Sequence, residues 1–164
     1  MRPLAVASLA LALLVPLGSS AYETDQFSHR RDGVSDSTVL LDAKINQTIS
    51  EIVSEWKGPQ DNWKFVTAVF LRLGGYYWVD KIEKWAMESP DIQRLQPSRR
   101  ESIYQGHPLW ASRVAGLFGV GPTIRLNEQL IGTDKLGHFF SQGKKFYYRY
   151  EKTRDELQAA KRSA

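Results

Sequence analysis

Gly132-Thr133-Asp134-Lys135-Leu136-Gly137-His138-Phe139-Phe140-Ser141-Gln142-Gly143-Lys144-Lys145-Phe146-Tyr147-Tyr148-Arg149-Tyr150 reads as the opening of a long amphipathic helix. Turned at 100 degrees per residue, Leu136, Phe139, Phe140, Gly143, Phe146, Tyr147 and Tyr150 fall on one broad face. Asp134, His138, Ser141, Gln142, Lys145 and Arg149 fall on the other. The apolar face is expected to pack on a core. The helix is expected to run from Asp134 to about Lys161, with a charged, frayed end from Thr153 onward.

Upstream, Thr123 to Ile131 alternates in the manner of a short strand or hairpin, and Gly116, Gly119, Gly121 and Pro122 break the chain before it. Ser89-Pro90 predicts the start of a short helix that Pro97 stops. A longer helix is predicted from Asp61 to Met87; its middle, Phe65 to Val79, is apolar almost all round and reads as core. That run is too short to span a bilayer and carries Arg72 at its centre. The alternative is an aromatic edge at a membrane interface, Tyr76-Tyr77-Trp78. Leu41, Ile45, Ile49, Ile52, Val53 and Trp56 have helical spacing, with Asp36 or Ser37 as N-cap and Gly58-Pro59 as the stop. The predicted fold is mainly α, a small helical domain. It has three long helices and one short one, with a short β-hairpin or irregular segment before the last helix.

The chain of 164 residues opens Met1-Arg2-Pro3, followed by an apolar run, Leu4 to Leu17, closed by small residues. Residues 1–21 therefore read as a signal peptide with cleavage expected after Ala21, leaving 22–164 as a single mainly helical periplasmic or secreted domain. There is no cysteine, so neither a lipidated cysteine nor a disulfide is available. The net charge of +4 is spread among acids, which argues against a nucleic-acid partner. It allows a weak attraction to anionic lipid or cell-wall polymer and at most peripheral membrane contact.

Asp134 and His138 lie one helical turn apart, within reach of each other. Such a pair is either a solvated helix start, where a carboxylate suits the helix dipole, or one wall of a cleft. In a cleft the helix N-terminus disfavours an imidazolium while Asp134 favours it, and a neutral, oriented imidazole serves as a general base or metal ligand.

Gly132 to Phe140 resembles the D-K-x-x-H-F helix start of the VanZ-like proteins, a start found also in uncharacterised exported bacterial families. The resemblance covers about nine residues. VanZ-like proteins are membrane-embedded, whereas this chain is mostly hydrophilic, so their architecture does not carry over. The resemblance implies that Asp134, Lys135 and His138 form a functional unit, as orienter, anion-binding cation and base or ligand. It also implies that the setting is an envelope lipid or glycolipid.

Three histidines exist, so a divalent-metal site would take His138 and Asp134 with His29 or His107, although no strong zinc spacing is present. No other cofactor is expected. With no cysteine and no G-x-S-x-G elbow, and with Ser141 and Ser28 no more than neighbours of a histidine, hydrolysis would use water activated by His138. The polar segment from Tyr22 to Ser37 is expected to fold over the polar face of the last helix. There Arg30 or Arg31 would pair with Asp134 or receive a substrate phosphate or carboxylate. Two function classes follow. One is an exported protein acting on or binding an envelope component. The other is a non-enzymatic structural or protein-interaction module in which the D-K-x-x-H start is a structural cap.

Overall fold

Helix α1, Thr38–Ser54, begins where the sequence places its cap. The Asp36 carboxylate accepts from the Thr38 backbone N–H at 2.8 Å and, through its other oxygen, from the Glu128 N–H at 2.9 Å. Glu128 and Asn127 form the two-residue turn of a hairpin, both with left-handed backbone (φ 65 and 45). The hairpin joins β1, Thr123–Leu126, to β2, Gln129–Gly132, antiparallel, with Ile124 opposite Ile131. Asp36 thus ties the turn to the start of α1, and these bonds hold its carboxyl below the usual range.

These elements belong to a computed structural model that describes residues 24–25, 27–28, 33–75, 79–106 and 120–161. The expected signal peptide, His29, Arg30, Arg31, His107 and the Tyr76-Tyr77-Trp78 edge lie outside them.

The single helix expected over Asp61–Met87 is two. Helix α2, Asn62–Leu73, starts on Asp61, whose carboxylate accepts from the Lys64 N–H at 3.0 Å. It ends at Gly74, where a Cβ would meet the Phe70 ring edge and the Phe70 carbonyl at 2.8 to 3.0 Å. The Lys81 ammonium donates to the Leu71 carbonyl at 2.7 Å, satisfying an end that the helix cannot satisfy itself. Helix α3, Lys81–Glu88, restarts with Asp80 as N-cap and buries Ile82, Glu83 and Ala86.

The short helix expected at Ser89–Pro90 is a turn. Arg94 donates to the Ala86 and Ser89 carbonyls there, Leu95 pairs with Thr123, and a 3₁₀ turn follows at Arg99–Glu101. Pro97 precedes this turn instead of stopping a helix. The hairpin before the last long helix is as expected.

Helix α4, Thr133–Thr153, breaks at left-handed Arg154, and a separate helix α5, Glu156–Lys161, folds back on it with Ala159 fully buried. The last helix is therefore not continuous to Lys161. Leu41, Leu73, Ile82, Ala86, Ile92, Ile124, Leu126 and Leu136 form the core, so α1 to α4 and the hairpin share one apolar interior. Among the described residues no helix is long and apolar enough to cross a membrane.

Candidate functional site

The start of α4 packs differently from the apolar arc read in the sequence. Its buried residues are Thr133, Asp134, Leu136 and Gly137, while Phe139 is 72% exposed. The reason lies in two glycines. At Gly132, the N-cap position, an added Cβ would overlap the Thr24 hydroxyl and the Asp134 carboxylate. At Gly137 it would overlap the Asp80 carboxylate and reach 2.7 Å from Asp80 Cβ. Thr24 and Asp80 therefore lie directly against bare helix backbone, and their approach turns the helix so that Asp134 faces inward.

Asp134 is 3% exposed. One carboxylate oxygen accepts from Thr24 Oγ1 at 2.8 Å and the other from Lys135 Nζ. A buried carboxylate needs such partners, since leaving it unpaired is costly. Thr133 locks the same turn: its N–H and its hydroxyl both donate to the Pro122 carbonyl at 3.1 Å. Lys135 keeps its side chain half exposed while bound to Asp134. Asp134 and Lys135 are thus stitched to the N-terminal segment, which the sequence expects to fold over this face, through Thr24.

Its neighbour Asp25 fixes that segment. The buried Asp25 carboxylate accepts from the N–H groups of Phe27, Ser28 and Ile103 and from the Ser28 hydroxyl, at 2.5 to 3.1 Å. Burial alone would raise its pKa; the four hydrogen bonds win and hold it below the usual carboxylate range.

His138 is half-buried on the same helix, one turn from Asp134. The charged partner that sequence reasoning missed is Asp80. It is 2% exposed, and one of its oxygens has no hydrogen-bond partner among the described residues. The other accepts from Ser141 Oγ at 3.4 Å. Burial pushes the Asp80 carboxyl above its usual range, against the Ser141 hydroxyl and the His138 charge, which pull it down. Glu83 lies fully buried one turn along α3. The one cue to Asp80 in the sequence is that it is an acid closing the apolar run Phe65 to Val79.

Among the described residues no group of three or more His, Asp or Glu is placed to hold a metal ion. The third ligands considered, His29 and His107, lie outside those residues, as do Arg30 and Arg31.

Two results are expected. Alanine at a helical glycine ordinarily stabilises by up to about 1 kcal/mol. Gly137→Ala should instead destabilise by about 1–3 kcal/mol through overpacking on Asp80, lowering the melting temperature. In an Asp80→Gly background the same change should become neutral or stabilising. A stabilising Gly137→Ala in the parent would remove the Asp80 contact from the account. The second concerns pH. Because the folded pKa of Asp80 is raised, its favourable protonated form is fully present below the unfolded carboxylate pKa. That contribution is lost as pH rises through the folded value. Asp80→Asn should therefore raise the melting temperature relative to the parent near neutral pH, and the advantage should shrink in acid. A constant difference across pH would contradict it.

Compared with protein-family models, with curated proteins and with solved structures, this chain matches none.

Proposed function

We propose that this chain is an exported protein that binds a lipid or glycolipid of the cell envelope without transforming it. In this reading Asp134 and Lys135 form the junction that sets the pose of α4 and, with His138, are not a reaction centre. The export and envelope parts rest on the apolar leader ending at Ala21 and on the D-K-x-x-H-F resemblance. The choice of binding over catalysis rests on one observation. The Asp134 carboxylate is buried and occupied by Thr24 and Lys135, so it is not presented to a substrate. Its oxygens are engaged by Thr24 and Lys135 and not by His138, so it does not orient the imidazole. Anions are favoured at a helix N-terminus, so the same geometry stabilises the start of α4.

One observation favours catalysis instead: His138 is half-buried on the same helix, one turn from Asp134, as an oriented base would be. Incubation with an envelope lipid extract separates the two. Protein purified from the periplasmic fraction is mixed with the extract, and the lipid species are followed by mass spectrometry. Lipid recovered with the protein and chemically unchanged, for both the parent and His138→Ala, is the expected result. Turnover of a lipid by the parent that disappears in His138→Ala would overturn the binding reading and install His138 as the base.

A further inference from the structure

The second half of α4 carries a surface that the D-K-x-x-H start does not explain. From Lys144 to Arg154 the chain has five cations, Lys144, Lys145, Arg149, Lys152 and Arg154, against one acid, Glu151. Glu151 is held by Arg154 through two bonds of 2.9 and 3.0 Å, which leaves the rest of the stretch strongly positive. Lys145, Tyr148 and Lys152 fall within about 60 degrees of one another on the helix, and all three are exposed.

Aromatic rings lie between these cations. Helix α2 runs alongside and places Trp63 with its ring 5.5 Å from Tyr148 and 6.3 Å from Tyr147, stacked on the latter. Trp63 is 40% exposed and Tyr148 is 44% exposed. Lys152 sits over the Tyr148 ring at 4.1 Å, and Lys144 over Trp63 at 5.8 Å and Phe70 at 4.2 Å. Each cation is held at a ring face, an attraction that fixes both groups without neutralising the charge. The result is a patch in which the exposed rings Trp63 and Tyr148 lie beside the exposed lysines Lys145 and Lys152.

We propose that this α2–α4 face docks on the surface of an anionic bilayer, with Trp63 and Tyr148 at headgroup depth and Lys145 and Lys152 on lipid phosphates. The proposal rests on the lipid-binding reading above and names its surface and partner. One feature favours a bilayer over a soluble polyanion. Tryptophan and tyrosine prefer the membrane–water boundary, where an apolar ring and a polar edge are both satisfied. Charge alone would recruit a polymer without any exposed ring. The contact is peripheral, since no described helix is apolar enough to span.

The test is co-sedimentation of protein purified from the periplasmic fraction, with phosphatidylglycerol–phosphatidylcholine vesicles or phosphatidylcholine vesicles alone. Binding is expected only to the anionic vesicles and should fall with added salt. Lys145→Ala and Lys152→Ala should each weaken it about fivefold and leave the melting temperature unchanged. Brominated lipids in the anionic vesicles should quench part of the tryptophan fluorescence, and Trp63→Phe should abolish that part. Equal binding to both vesicle types, or lysine variants that bind as the parent does, would overturn the proposal. So would capture by soluble polyphosphate with no quenching by brominated lipid, which would make the partner a polyanion. If the envelope extract yields a bound lipid while anionic vesicles do not bind, this surface is wrong and the lipid-binding reading stands.

Discussion

The first turn of α4 depends on side chains being absent at two positions. Gly132 and Gly137 leave bare backbone where Thr24 and Asp80 must lie, and any Cβ at either position would overlap them. Everything nearby follows from that close approach. Thr24 reaches Asp134, the segment around Asp25 is pinned to Ile103 just past the 3₁₀ turn, and α3 begins against α4. A helix start that would otherwise be solvated becomes interior, at the expense of burying two carboxylates.

The two carboxylates are handled differently. Asp134 is offset by a hydroxyl and an ammonium. Asp80 has one long bond from Ser141 and the charge of His138, too little to offset its burial, so its pKa moves up. The junction is therefore firmly satisfied at Asp134 and poorly satisfied at Asp80. Together the two contacts fix the first turns of α4 against Thr24 and Asp80. The aromatic and cationic half of α4 then projects from a fixed base.

What could be read from the sequence was local. The cap at Asp36 and the period of Leu41, Ile45 and Ile52 define α1 without any distant contact, and the alternation before Gly132 gives the hairpin. The mainly helical class follows from these. The break after Leu73 was not legible, because Gly74-Gly75 is tolerated inside many helices. What ends α2 is the Phe70 ring filling the place of a Cβ and the Lys81 ammonium closing the last turn. The facing of α4 is only partly legible: Leu136 and Phe140 of the apolar arc do pack on the core, but Phe139 is exposed and Asp134 buried. A wheel weighs the apolar arc of Phe139, Phe146 and Tyr150, but the glycines decide which side can approach a neighbour. Asp80 was invisible because its burial is created by Gly137, far along the chain. The coupling of the N-terminal segment to the last helix is seen at Thr24, while Arg30 and Arg31 lie outside the described residues.

The bond between Thr24 and Asp134 is where the structural claim is most exposed to test. A double-mutant cycle with Thr24→Val and Asp134→Asn, read by chemical denaturation of the purified protein, isolates it. The account predicts that each single change destabilises and that the two are coupled by about 1–2 kcal/mol, as for residues sharing a buried hydrogen bond. Additive changes, or an Asp134→Asn variant as stable as the parent, would contradict the junction and return Asp134 to the role of a free site carboxylate.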